Sequence, residues 1–213
     1  MIFSPEGKFY KVGSILVDII MTSFLFIIFS VGIITIGATT TGLYYAITKR
    51  VSGKDGYLIR DFLKSFTENF LRATIIFVIL ALAILLLIWN IWLGNMMEVN
   101  LIVTIIQFFA LMQLIFIYMY SFVILARFEM KVLSTIKMSF IIANKNLLIT
   151  LTNLGFLIAI VLSTVWLSII IIFIMGIYIY FSSMFFVKIF RKMDPDFDKI
   201  VEEELKPLNF DKL

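Results

Sequence analysis

The chain has 213 residues, of which 62% are hydrophobic and only 15% are charged, and its formal net charge is +4. A soluble domain is usually about half apolar and a quarter charged, so this composition excludes a soluble globular protein and indicates one that a lipid bilayer solvates. Cysteine and histidine are both absent, which excludes disulfides, thiolate or imidazole metal sites and the usual general base near neutral pH. We therefore expect an all-α, polytopic helical membrane bundle with no catalytic residue, cofactor or metal site.

The first apolar stretch runs from Phe9 to Thr48 and is interrupted only by Lys11, Asp18 and a cluster of Ser, Thr and Gly. Its length exceeds the roughly 20 residues that one helix needs to cross a bilayer. Gly37 and the small and β-branched residues after it weaken helix propensity locally. We predict a crossing at about 11–34, a broken helix at 35–42 and a short return helix at 38–50.

A polar, basic segment follows at residues 49–72 and contains a periodic stretch from Tyr57 to Arg72. Its apolar and charged residues each recur every four positions, which is typical of an amphipathic helix. The apolar stripe is Leu58, Phe62, Phe66 and Phe70, and the charged stripe includes Arg60, Lys64 and Glu68. We predict a helix that lies on the inner leaflet, with Arg60, Lys64 and Glu68 as a candidate surface for docking a partner.

Further crossings are predicted at 73–93, 101–124, 147–162 and 167–187, which gives a membrane domain at 1–193 and a cytoplasmic tail at 194–213. Lys and Arg concentrate in the 49–72 and 125–146 segments and at the start of the tail, so the positive-inside rule assigns these to the cytoplasm. If 38–50 crosses, there are six crossings and the N-terminus is inside, which Lys8 and Lys11 favour. If it does not, there are five.

Several polar residues fall inside the predicted crossings. Asp18 is the most notable, because a carboxylate in a bilayer costs several kcal/mol; it either belongs to a proton or cation relay with Thr22 or reaches water or a lysine at the interface. Thr39, Thr40 and Thr41 suit close helix packing or the lining of a transport site. Arg127, at the inner end of a crossing, suits contact with lipid phosphates.

The order of these features resembles the YesL-like membrane proteins, catalogued as domain of unknown function family 624. The resemblance rests on three groups of residues: Ser30–Ala38 with Leu43-Tyr44-Tyr45, then Arg60-Asp61-Phe62 with Phe66, Asn69 and Phe70, and Leu125–Glu129. Many relatives have Pro where this chain has Gly32, and Asn near Thr22. The resemblance implies a multi-pass plasma-membrane protein of a Gram-positive bacterium. Because members commonly sit beside carbohydrate-uptake genes, it also implies an accessory role in sugar import, and it supplies no catalytic residues.

The leading hypothesis is a non-enzymatic membrane accessory protein or subunit associated with ATP-driven carbohydrate (oligosaccharide) uptake. Its expected partners are the lipid bilayer and the permease or ATPase subunits of a sugar importer, and not nucleic acid. The sequence contains neither the Glu-Ala-Ala…Gly coupling loop of such permeases nor a Gly-rich phosphate-binding loop with Lys. The alternative is a small autonomous transporter or channel that uses the broken helix at 35–42 and Asp18. An intramembrane enzyme is disfavoured because His, Cys and paired carboxylates are missing from the apolar segments.

Overall fold

The computed structural model describes residues 8–54, 56–96, 100–164, 170–194 and 197. Within these residues the chain forms seven α-helices and no strand, which confirms the predicted all-α helical bundle. The helices are α1 (Lys8–Phe29), α2 (Ile36–Val51), α3 (Leu58–Met96), α4 (Leu101–Arg127), α5 (Val132–Lys145), α6 (Leu147–Ser163) and α7 (Ile170–Met193), with a short 3-10 turn at Ile33–Thr35 before α2.

Four helices, α1, α3, α4 and α7, are long and apolar enough to cross a membrane. Helices α5 and α6 meet at 98° and would count as a fifth crossing if together they form one broken span. The structure does not support the sixth, short crossing predicted at 38–50. Helix α2 has 16 residues and is therefore about 24 Å long, which is less than the roughly 30 Å of a hydrocarbon core.

The break between the first two helices lies earlier than predicted. Helix α1 ends at Phe29, and α2 is continuous from Ile36, so the expected broken helix at 35–42 is wrong. The Thr35 hydroxyl donates hydrogen bonds to the carbonyl oxygens of Phe29 and Gly32, both at 2.5 Å. This side chain therefore stabilises the turn that separates the two helices.

Gly37 does not break α2 because it serves close packing. A Cβ atom at this position would lie 2.5 Å from the carbonyl oxygen of Ala73 and 2.7 Å from Cβ of Phe77, so only glycine allows α2 and α3 to approach so closely. Every residue of α2 from Gly37 to Thr48 is buried. Helix α2 packs against α1, α3, α4 and α7 and is the central helix of the bundle.

The predicted amphipathic helix and the crossing at 73–93 form one helix, α3, of 39 residues. No break separates the two parts, so the predicted amphipathic helix continues directly into the crossing. Its position on the inner leaflet stays a prediction. Leu58 and Phe62 are buried as expected, but Phe70 is 39% exposed and Asn69 is buried in its place. A four-residue spacing turns by about 40° at each step on a 3.6-residue helix, so the predicted stripe rotates out of the interface.

The remaining helices cover the other predicted apolar segments. Helices α4 and α6 occupy the segments predicted at 101–124 and 147–162, and α7 continues to Met193. The prediction of a cytoplasmic tail at 194–213 lies outside the described residues except for Asp194 and Phe197. Phe197 is fully buried, and its ring lies 5.3 Å from that of Phe190 in α7.

Candidate functional site

Two ion pairs meet at the C-terminal end of α2. Arg50 Nε lies 2.8 Å from Oδ1 of Asp18 on α1, and Lys49 Nζ lies 3.1 Å from Oδ1 of Asp61 on α3. Consecutive residues point about 100° apart on a helix, so Lys49 and Arg50 reach two different neighbouring helices. Both cations also occupy the last turn of α2, where the helix dipole favours positive charge. Together the two pairs fix α1 and α3 to the same end of the central helix.

Gly56 lies between these two ion pairs in the loop that joins α2 to α3. Arg50 Nη1 donates a hydrogen bond of 3.2 Å to the Gly56 carbonyl oxygen. A Cβ atom on Gly56 would lie 2.3 Å from Oδ2 of Asp61 and 3.2 Å from Nζ of Lys49. The loop can therefore pass between the pairs only with a residue that has no side chain.

Arg127, at the end of α4, is buried beside the same end of α2. Its side chain is 2% exposed. Nε donates to Thr48 Oγ1 at 2.6 Å and Nη2 donates to the Tyr45 carbonyl oxygen at 2.6 Å, while the guanidinium carbon lies 4.7 Å from the centre of the Tyr45 ring. Arg127 therefore binds α4 to α2 through both hydrogen bonds and a cation–π contact.

Asp61 connects Arg127 to the ion pairs. Asp61 is buried, and its carboxylate interacts electrostatically with Arg127 as well as with Lys49. We define the ionic cluster as Asp18, Lys49, Arg50, Asp61 and Arg127. Removing one member of such a buried group leaves an uncompensated charge, so its members depend on one another.

The predicted intramembrane polar residues are all buried, but they do not form one site. Asp18 pairs with Arg50, whereas the hydroxyls of Thr40 and Thr41 donate to their own helix, at 2.8 Å to Ile36 O and 2.9 Å to Gly37 O. Thr22 and Thr39 are fully buried, and neither hydroxyl has a hydrogen-bond partner among the described residues. The threonines on α2 therefore contribute to the close packing of this helix.

The residues predicted to face outward divide into two groups. Arg60 and Glu68 on α3 are exposed and Lys64 is half-buried, so this charged stripe remains accessible. The prediction that Arg127 contacts lipid phosphates is wrong because its side chain points inward to α2. The position of Arg127 at the end of α4 suggested contact with lipid phosphates. Its direction around the helix axis, however, points its side chain toward Thr48 and Tyr45.

A cavity of about 590 Å³ opens beside the ionic cluster, between α1, the end of α2 with its following loop, and α7. Its polar lining consists of Lys11, Ser14, Asp18, Arg50, Lys54 and Tyr180. Among the described residues there is no group of three or more acidic, His or Cys side chains that could hold a metal ion. The charged side chains in the lining suit recognition of a charged ligand.

A protein-family model matches the part of the chain that contains most of the ionic cluster. The model of a family described as protein of unknown function, DUF624, matches residues 19–91. We call residues 19–91 the DUF624 segment because they match this family model. The match confirms the resemblance over residues 19–91, and the long apolar helices indicate a multi-pass membrane protein. No curated protein and no solved structure matches the chain.

The DUF624 segment extends from α1 into the second half of α3 and contains Lys49, Arg50, Gly56 and Asp61. Asp18 lies one residue before it, and Arg127 lies well beyond it on α4. The DUF624 segment thus contains Lys49, Arg50 and Asp61 of the ionic cluster, whereas Asp18 and Arg127 lie outside it.

Sequence reasoning missed Lys49, Arg50 and Gly56 as parts of this site. The sequence offered two signals for this site. Lys49 and Arg50 are two cations that follow an apolar segment, and the Asp18 carboxylate inside another apolar segment needs a counter-charge. They were assigned to the orientation of a basic loop instead. Asp61 and Arg127 were in the quoted family motifs, but only the packing of the helices brings them together.

Proposed function

We propose that this protein is a non-enzymatic accessory protein or subunit of a membrane assembly for ATP-driven carbohydrate uptake, and that its partners are permease or ATPase subunits. The gene neighbourhood implied by the family resemblance supports the uptake role. The observation that carries a partner-binding role is the exposed charged stripe, Arg60 and Glu68 with the half-buried Lys64, on the N-terminal part of α3.

The opposite face of the same helix explains why this stripe suits docking. Asp61, Phe62, Ser65 and Asn69 are all buried against the bundle, so the helix cannot rotate and its charged face has a fixed direction. Charges presented in this way steer and orient a partner more than they stabilise the fold. The stripe is therefore a separable surface on a rigid support.

The alternative, an autonomous transporter or channel, depended on a broken helix at 35–42 and on Asp18. Helix α2 is continuous from Ile36 to Val51, and Asp18 is held by Arg50. Neither observation favours transport, so the accessory role is the one we propose.

Arg60→Glu with Lys64→Glu tests the proposed docking surface. Because surface substitutions usually change stability by less than about 0.5 kcal/mol, the variant of exposed Arg60 and half-buried Lys64 should be produced and inserted normally. It should lose importer subunits on copurification from the native host and should lower oligosaccharide uptake. The matched control is Lys131→Glu with Lys137→Glu, which reverses two exposed cations on and beside α5 and should leave both readouts unchanged.

Intact partner recovery and uptake in the Arg60 and Lys64 variant would reject this surface. Sugar flux in liposomes that contain the purified protein alone would reject the accessory role and restore the transporter.

A further inference from the structure

The cavity beside the ionic cluster is built on one face of α1. Lys11, Ser14 and Asp18 follow the i, i+3, i+7 spacing of a single helix face and line the cavity. On the rest of α1, Val12, Leu16 and Val17 are exposed at 57%, 55% and 57%. The cavity therefore borders an apolar surface of the kind that lipid chains cover.

The charges that line the cavity are predominantly positive. Among the described lining residues, Lys11, Arg50 and Lys54 contribute three cations and Asp18 contributes one carboxylate. Arg50 Nε contacts both oxygens of that carboxylate, at 2.8 Å and 2.9 Å, so the positive charge of Arg50 compensates the negative charge of Asp18. Lys11 and Lys54 place two ammonium groups in the same lining, and lysine binds phosphate as a mobile point charge.

We propose that this cavity binds the phosphate group of an anionic phospholipid. Its volume of about 590 Å³ lies within the range of roughly 300–1,000 Å³ usual for small-molecule sites. Basic pockets between transmembrane helices are a known mode of headgroup recognition. The hydroxyls of Ser14 and Tyr180 in the lining add donors for phosphate or glycerol oxygens.

A second cavity supports lipid over a soluble phosphate ester. It measures about 420 Å³, and Val51 lines both cavities. Its other lining residues are Met184, Phe185 and Val187 with Lys188 and Arg191, so apolar side chains accompany the cations. A headgroup site next to apolar space fits a ligand that has both a phosphate and acyl chains.

The test uses the full chain in an uncharged detergent, with bound lipid counted by native mass spectrometry. Phosphatidylglycerol should bind and phosphatidylcholine should not compete. Lys11→Gln with Lys54→Gln should weaken phosphatidylglycerol binding by about fivefold for each lysine removed. The matched control, Lys131→Gln with Lys137→Gln, removes two lysines outside the cavity and should leave binding unchanged. Equal losses in both pairs would show general surface attraction and overturn the site.

Two further variants separate recognition from misfolding. Lys11→Arg with Lys54→Arg keeps the charges and should retain binding, which shows that the glutamine pair lost charge and not structure. Ser14→Phe keeps every charge but fills the cavity, so it should also lower binding. Unchanged binding in Ser14→Phe would overturn the cavity as the site.

Glycerol 3-phosphate distinguishes the two sources of phosphate. If the site is a lipid site, millimolar glycerol 3-phosphate should leave bound phosphatidylglycerol in place. If glycerol 3-phosphate alone binds and the Lys11 and Lys54 pair abolishes that binding, the phosphate chemistry stands and the lipid source is overturned. Neither result depends on importer subunits, so this test is independent of the proposed accessory role.

Discussion

We define the distal hairpin as residues 82–96 of α3 and 101–109 of α4. Helix α2 and the distal hairpin are both uncharged over most of their length. They differ in burial. From Gly37 to Thr48 every residue of α2 is buried. In the distal hairpin large apolar side chains are widely exposed, including Leu86 at 68%, Trp89 at 60% and Ile106 at 61%. The protein itself surrounds α2, whereas we expect lipid to solvate the exposed apolar side chains of the distal hairpin.

The residue types follow this division. Helix α2 carries glycine and threonine, which permit close contact, and it ends in the cations of the ionic cluster. The distal hairpin carries Leu, Ile, Phe and Trp, and a hydrogen bond of 2.6 Å from Gln107 Nε2 to Asn90 Oδ1 joins its two helices. Lipid is as apolar as leucine, so burial of leucine gives little driving force here and polar contacts decide which helices pack together.

The largest effect should come from Arg127→Met. The substitution removes the buried guanidinium that donates to Thr48 Oγ1 and to the Tyr45 carbonyl oxygen, and it leaves Lys49 as the ion-pair partner of Asp61. Buried acceptors that lose a charged donor are costly, so we expect a loss of about 3–5 kcal/mol of unfolding free energy. Denaturation in mixed micelles measures it. The matched variant in the distal hairpin, Gln107→Leu, should cost only about 0.6 kcal/mol. Similar losses at the two sites would show that the ionic cluster is not the stronger connection.

Gly37→Leu should cost about 2–3 kcal/mol, because the new side chain meets the Ala73 carbonyl oxygen and forces α2 from α3. Gly155→Leu on α6 is the control, since nothing lies within 4 Å of its Cβ position. Thermal unfolding in detergent compares the two. A stable Gly37→Leu variant would mean that the contact between α2 and α3 is not close-packed.

Leu43→Ala and Leu86→Ala compare the two regions with one substitution. Leu43 is fully buried on α2, so its truncation leaves a cavity. We expect a loss of about 2 kcal/mol, the lower end for a buried leucine, because lipid is as apolar as the core. Leu86 is 68% exposed in the distal hairpin, and its truncation should change stability by less than about 0.5 kcal/mol. An equal loss at Leu86 would indicate that another protein surface, and not lipid, covers the hairpin.

The smallest effect within the ionic cluster should come from Asp18→Asn, which removes the charge of the pair with Arg50. Arg50 is 29% exposed at its side chain, so water offsets part of the loss, and we expect about 1 kcal/mol. Asp18→Arg combined with Arg50→Asp should recover part of that stability in the same denaturation assay. No recovery would show that the pair depends on its present orientation, with Gly56 bound to Arg50.

Particular residues show how far the sequence could be read. The apolar run of α4 and the periodicity of α3 were visible in the sequence, and Asp18 could be identified as a carboxylate in need of a partner. Its partner could not be identified, because Arg50 is 32 positions away on another helix. The burial of Asn69 and the exposure of Phe70 were missed for a related reason. The apolar stripe was predicted from a spacing of four residues, and only the contacts of α3 show which face is buried.

The sequence by itself determined that this is a helical membrane protein, where most of its apolar segments lie, and that residues 19–91 match the DUF624 family. Only the tertiary structure decided that α2 is the central helix and that Arg127 points inward. The physical reason is that a helix apolar on every side can present any face to lipid, so its periodicity does not identify the buried face. Rotation about each helix axis is set by contacts with the other helices, and those contacts assemble the ionic cluster and its cavity.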